Sequence, residues 1–198
     1  MKLKMRTVLV SAAVLTAGSV MAADIELPKP ETSGGMPLME ALAKRRTERR
    51  FSPEPLSAGE LSNLLWAAAG VNRPDGRLTA PTALNRQEIV LYVQLADGVF
   101  RYDAAANKLI RISTEKAEIP GGAPVAIIMV ADFNRQPARQ YALVDCGFIG
   151  QNVYLFAASN GLATVFRGSF DKESLTRVLK LDQKHEVLFV QVVGRPAK

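Results

Sequence analysis

Seven of the eight residues at positions 44–51, Lys44-Arg45-Arg46-Thr47-Glu48-Arg49-Arg50-Phe51, are charged or hydroxylated, and five of them are cations. Guanidinium forks match the oxygens of a phosphate, and a threonine hydroxyl can donate to the same group. A second string, Ala80-Pro81-Thr82-Ala83-Leu84-Asn85-Arg86-Gln87, carries an amide at Asn85 that offers both a donor and an acceptor to the edge of a heterocycle. Together the strings point to a site for a phosphorylated planar ligand. Alone, the first also fits a solvated helix end, where cations complement the C-terminal dipole. Asn85 alone also fits an Asx-turn. Their occurrence in one chain favours the ligand.

What the chain lacks narrows the chemistry further. Cys146 and His185 are the sole cysteine and the sole histidine. A catalytic triad, a zinc site or a Cys-His nucleophile pair therefore has too few members. Cys146 reads as a small buried hydrophobe on a helix, and His185 as an exposed turn residue. The chemistry is expected to ride on a bound cofactor, with no metal. Nucleic-acid binding is not expected, because the cationic string has no interleaved aromatic residues to stack on bases.

The elements that must position these residues follow from periodicity and punctuation. Residues 36–46 read as a first helix with Leu38, Met39 and Leu42 on one face. Pro53 and Pro55 enforce a turn. Ser57-Ala58-Gly59-Glu60 is a capping box for a second helix, stopped at Gly70, with Leu61, Leu64, Leu65 and Ala68 toward the core. Trp66 points off that stripe, to core or interface. Residues 88–95, 99–102 and 108–112, with a turn at Asp97-Gly98, read as an antiparallel meander with one exposed face, and 124–131 as a strand buried inside a sheet. A long helix spans 139–160, with Val144, Phe148, Gln151, Leu155 and Ala158 on one helical stripe, and Gly161 ends it. Its apolar residues run nearly all round, which predicts burial on several sides. A short strand at 162–166, a helix capped by Asp171 and a closing strand at 187–193 complete an α+β order, with helices around a mainly antiparallel sheet.

The N-terminus divides the chain. Residues 1–22 combine a basic start (Lys2, Lys4, Arg6), an uncharged apolar run and the small residues Val20 and Ala22. That is the pattern of a secretory signal peptide, expected to be cleaved after Ala22 and to leave no stable membrane span. In a bacterium this directs the chain to the periplasm. Cleavage removes three cations and no acid, so the formal charge falls from +6 to +3. Residues 23–35 read as a flexible leader. Residues 36–198 are expected to form one domain, whose core must supply its stability because an intrachain disulfide is impossible.

The two strings, the Pro55-Leu56-Ser57 turn into the second helix, and a C-terminal set resemble the nitroreductase superfamily of FMN enzymes. The set comprises Asp145, Gly147, Gln151-Asn152, Gly161-Leu162, Arg167-Gly168 and Val193-Gly194-Arg195-Pro196. The stretch Gly98-Val99-Phe100-Arg101-Tyr102-Asp103 is closer to the branch containing azoline-forming dehydrogenases. The resemblance covers residues 36–198 and implies an FMN-binding homodimer with flavin at the subunit interface, each subunit completing the other's pocket. It assigns Arg45, Arg46 and Thr47 to the FMN phosphate and ribityl chain, and Arg49 to the N1/O2 edge of the ring. Asn85 would read the pyrimidine edge, with Pro81, Thr82 and Gln87 shaping the loop. Val165, Phe166, Arg167 and Gly168 would lie over N5, the last two nearest the chemistry, and Arg195 would add a phosphate contact. The chain departs from the family at Thr82, where serine is common, and at Glu88-Ile89, where proline or an aromatic is common.

The implied activity is FMN-dependent oxidoreduction, a two-electron hydride transfer through flavin N5 to a nitro, quinone or related acceptor, or a substrate dehydrogenation. The electron donor is open, because nicotinamides are not expected outside the cytoplasm. The alternative is a non-catalytic periplasmic flavin-binding protein.

Overall fold

The computed structural model describes residues 23–119 and 121–198, so the signal peptide expected at 1–22 lies outside the described residues. Seven strands form one sheet: β1 (Ile25–Glu26), β2 (Ile89–Leu95), β3 (Gly98–Asp103), β4 (Lys108–Ser113), β5 (Val125–Asp132), β6 (Ala163–Arg167) and β7 (His185–Gly194). Four helices accompany them: α1 (Leu38–Lys44), α2 (Ala58–Ala69), α3 (Arg139–Ser159) and α4 (Lys172–Val178). The strand order is β1-β4-β3-β2-β5-β7-β6, and every pairing is antiparallel. The α+β class read from the sequence is the one observed.

β5 explains the sheet's two cores. Its side chains alternate, so Val125, Ile127, Met129 and Ala131 join the layer under α2 and α3, while Ala126, Ile128 and Val130 join the layer under α4. A strand buried on both faces has no polar side to display, which is why it reads as an unbroken apolar run. β4 buries only Leu109, as the expected half-exposed end of the meander.

Helix punctuation matches its chemistry. Ser57 accepts from the Glu60 amide at 3.2 Å and the Glu60 carboxylate accepts from the Ser57 amide at 2.8 Å, closing the capping box. Asp171 caps α4 through the Ser174 amide at 2.9 Å, and Gly161, at φ +65°, takes the left-handed step that ends α3.

Three expectations are corrected. Residues 24–35 are extended but tied down. β1 pairs with β4, Lys108 bridges Asp24 and Glu26, Ser62 donates to the Pro28 carbonyl at 2.6 Å, and the Glu31 amide donates to Asn63 at 2.8 Å. The stripe of Val144, Phe148 and Gln151 on α3 is the exposed one, and the buried stripe is Ala142, Cys146, Ile149, Val153 and Ala157. Leu38, Met39 and Leu42 on α1 are exposed as well. His185 opens β7 and is only partly exposed, its Nδ1 2.6 Å from Asp182.

Candidate functional site

The cationic string begins where α1 stops. Arg45 is its C-cap, and its guanidinium lies 5.2 Å above the Tyr154 ring, a cation–π contact. The Tyr154 hydroxyl sits 2.9 Å from Thr47 Oγ1 and accepts the Phe166 amide at 3.1 Å. One phenol thus joins the segment after α1, the middle of α3 and the outer side of β6. The Glu48 amide donates to the Thr164 carbonyl at 3.0 Å, which seals the segment along β6. α3 can lie this close to β6 because residue 150 is glycine: a Cβ there would sit 2.6 Å from the Phe166 ring.

The cleft beside this junction measures about 440 Å³ and is lined by Lys44, Arg45, Arg46, Glu48, Tyr154 and Gly161 among others. Among the described residues, no ion pair engages Arg45, Arg46 or Arg49. Glu48 turns inward on its own chain: the Arg49 and Arg50 amides donate to its carboxylate at 3.0 and 3.4 Å and hold its pKa below the usual range. The arrangement leaves donors and positive charge facing an open cleft of ligand size, which suits a phosphate on a larger ligand.

The second string forms a different structure. Residues 82–87 turn through a short 3₁₀ segment (Ala83–Asn85), and Leu84, Asn85 and Gln87 all have φ between 50° and 55°. Non-glycine residues in the left-handed region are strained and need external restraint. The Gln87 amide donates to Thr82 Oγ1 at 3.0 Å, Gln87 Nε2 to the Gly76 carbonyl at 3.0 Å, and Arg135 to the Gln87 carbonyl at 2.8 Å. The Ala83 amide donates to Asp145 on α3 at 3.3 Å. Pro81, Thr82 and Asn85 line a separate cleft with Arg73 and Arg77.

Within one chain the two strings do not meet. The contacts of Asp145 and Tyr154 anchor them to α3 nine residues apart, which is about 14 Å along the axis and about half a turn around it. They occupy opposite flanks of the helix, and the exposed face carrying Val144, Phe148 and Gln151 lies between them.

Other assignments are redistributed as well. Arg195 does not face the cleft as an anion ligand: its Nη2 pairs with Glu60 at 2.9 Å and its Nε with Glu54 at 3.1 Å. Val165 is buried in the α4-side core, and Phe166 packs against Phe189 with ring centroids 4.6 Å apart, so neither presents its side chain to a ligand. The Arg167 guanidinium runs instead toward Gly121 and Phe51. Only the backbone at 166–168 follows the Tyr154 junction, and Gly168 is exposed there. Gln87 spends its side-chain amide on the turn itself, and Arg49 is exposed outside the cleft lining.

Tyr154 and Glu88 escaped the sequence reading. A tyrosine in an apolar helix, with a polar tip needing a partner, was the available signal for the first. Glu88 is fully buried against Asp145, a pairing of residues far apart in the chain.

The family model described as "Nitroreductase family" matches residues 42–195. A protein of Methanocaldococcus jannaschii named as a nitroreductase is 31% identical over 195 residues, covering 87% of this chain and 96% of that protein. A crystal structure of a Ralstonia eutropha protein named as a nitroreductase is 33% identical, covers 98% of this chain and 97% of its own, and superposes with a TM-score of 0.84. A Desulfovibrio desulfuricans structure, named as a nitroreductase in complex with FMN, shares the fold at 22% identity and a TM-score of 0.61, covering 83% of this chain and 89% of its own.

Proposed function

The chain belongs to the nitroreductase family, and we propose that it is an FMN-dependent oxidoreductase that passes two electrons to a nitro, quinone or related electrophilic acceptor, or dehydrogenates a substrate by the reverse step. The observation that carries this reading is the cleft lined by Arg45 and Arg46, whose guanidiniums have no carboxylate partner among the described residues, next to Thr47, which Tyr154 fixes from the cleft wall. Those residues fit the phosphate end of FMN by charge and donor geometry. FMN, when bound, supplies the redox chemistry at its N5.

The chain's own residues hold, orient and shield. Tyr154 fixes the hydroxyl of Thr47 and one amide of β6 with the same oxygen. Outward amides alternate along a strand edge, and continuing that alternation past Phe166 gives the Gly168 N–H the role of meeting the ring in this reading. The Arg167 side chain, turned away toward Gly121, acts through its backbone in this reading and not as an acid.

A second copy completes the pocket. The uncovered Leu38, Met39 and Leu42 of α1 and Tyr141, Val144 and Phe148 of α3 form the apolar surface of a homodimer interface, and Leu84, 83% exposed at the tip of the strained turn, reaches across it. Two-fold pairing through this face sets the Asn85 flank of one subunit beside the Arg45 flank of the other. The family branch favoured by residues 98–103 is that of azoline-forming dehydrogenases, and the composition of residues 1–22 favours an exported, periplasmic enzyme.

The deciding experiment is a visible spectrum of the purified protein with a screen of nitro and quinone acceptors under several donors. Bound FMN that is reduced and then rapidly reoxidised by an acceptor supports the proposal. A colourless protein that takes up no FMN would sink it. N-terminal sequencing of the mature protein tests cleavage after Ala22.

A further inference from the structure

We propose that Glu88 and Asp145 form a proton-sharing carboxyl pair that positions the strained turn at residues 82–87, so that the grip of Asn85 on its ligand weakens as the pair loses its proton. The ligand half of this inference rests on the FMN reading; the pair itself does not.

Glu88 is 0% exposed and Asp145 is 2% exposed. As a carboxylate, Glu88 finds no donor for either oxygen among the described residues. Two ionised carboxyls side by side in a dry core repel each other and forgo solvation, a combination that binds a proton. A proton on Glu88 resolves both problems at once. It removes one charge and creates the missing donor, an O–H that the neighbouring Asp145 carboxylate can accept. Burial first, and then the neighbouring Asp145 carboxylate, push the Glu88 pKa up to about 7, against the pull of Glu88's own backbone amide and, more weakly, of Arg135.

The charged and titratable surroundings leave no better partner. From α3 the neighbours are Asp145 and Cys146, and burial followed by these two carboxyls raises the Cys146 thiol, so it stays neutral. Arg135, on the segment after β5, is held by Asp132 at 3.2 Å and by the Gln87 carbonyl at 2.8 Å. His185, on β7, faces Asp132 at 3.7 Å.

Asp145 also accepts the Ala83 amide, which makes the pair one of the few anchors of a turn carrying three left-handed non-glycine residues. The other anchors are Thr82 Oγ1, the Gly76 carbonyl and Arg135. Deprotonation sets the two carboxylates apart and loosens the Ala83 contact, and Asn85 loses its fixed bearing.

The sign follows from the raised pKa. Folded Glu88 holds its proton more tightly than in the unfolded chain, so its stabilising contribution is complete below the ordinary carboxyl pKa of 4.5 and is lost as pH rises through about 7. The test compares wild-type protein with Glu88→Gln, which keeps a donor toward Asp145 and cannot titrate. Apoprotein melting temperature and FMN affinity are measured from about pH 5 to about pH 8. FMN phosphate titrates in the same range, so the difference between the two proteins is the readout. The expected result is a wild-type melting temperature that falls across the window and an FMN Kd that rises on the order of tenfold more than in the variant, whose own curves are flatter. Identical profiles for the two proteins overturn the proposal. A melting-temperature difference with equal FMN profiles overturns its positioning half. A difference in a protein that binds no FMN at any pH leaves the pair standing and removes the flavin reading. If Glu88→Gln does not fold, isotope-edited infrared spectroscopy of the wild type reads the same proton. A protonated-carboxyl band that disappears as pH passes about 7 supports the pair, and no such band at about pH 5 overturns it.

Discussion

The two flanks of α3 solve opposite electrostatic problems with residues of similar polarity. On the Tyr154 flank, cations and hydroxyls are held in place by an aromatic ring and its oxygen, and their charge faces an open cleft. On the Asp145 flank, two carboxyls are closed off from water and must share what little hydrogen-bonding capacity they have. The first is an unbalanced charge waiting for a counterion, and the second is an excess of acceptors waiting for a proton. Polar residues at both places look alike in sequence. What separates them is whether a partner is already present.

The comparison can be broken most severely at the cleft. Replacing Arg45 and Thr47 together, as Arg45→Ala with Thr47→Val, removes charge-assisted donors worth about 1.5–3 kcal/mol for the charged one and less for the hydroxyl. We expect FMN affinity to drop by at least about two orders of magnitude in flavin-fluorescence titration. The melting temperature should fall only modestly, through the lost Thr47–Tyr154 hydrogen bond and cation–π contact.

Next in size is the uncovered face between the flanks. Phe148→Glu puts a charge at the centre of the proposed interface, and sedimentation should show monomers. FMN binding is expected to fall with dimerisation although every cleft residue is intact. Retained affinity in a monomer would show that one flank suffices.

A smaller effect tests the junction itself. Tyr154→Phe keeps the ring under Arg45 but leaves the Phe166 amide and Thr47 hydroxyl without their shared oxygen. Chemical denaturation should read a loss of about 1–3 kcal/mol, with a moderate loss of FMN affinity alongside.

The smallest expected effect sharpens the contrast between waiting and satisfied charges. Arg195 is already paired with Glu54 and Glu60, so Arg195→Met should lower the melting temperature slightly and leave FMN affinity within about twofold, as for an exposed ion pair. Its partner gives a pH signature. The Ser57 amide first, and then Ser57 Oγ and Arg195, hold the Glu60 pKa below its ordinary value. That stability is present above the unfolded pKa and is lost as pH falls through the lower, folded one. Glu60→Gln should therefore flatten the acid limb of the melting profile.

Local signals carried most of the secondary structure. The capping box at Ser57, the cap at Asp171 and the apolar run of β5 are decided by neighbours within a few residues, so they were legible. The polarity of α3 was not. The exposed face of α3 carries Val144 and Phe148 and so has the composition of a core, and the stripe with Phe148 and the stripe with Ile149 could not be told apart. The strap at residues 24–35 has the Pro, Ser and Gly content of a loose segment, and its order comes from β4, Ser62 and Asn63. Arg195 announced a charge and gave no sign that Glu60 already answered it. The cleft residues Arg45, Arg46 and Thr47 were readable as a string; Tyr154, which makes them a site, lies on another element.

The strap has one more effect. Unpaired strand margins invite other chains to add on and seed fibrous aggregates. β1 lies along the outer side of β4, and the Glu48 segment with Tyr154 covers β6 at the far margin. A chain lacking residues 24–26 would keep its cleft and most of its core, yet would carry a bare row of amides and carbonyls along β4, and its shelf life in concentrated solution would suffer long before its affinity for any small molecule did.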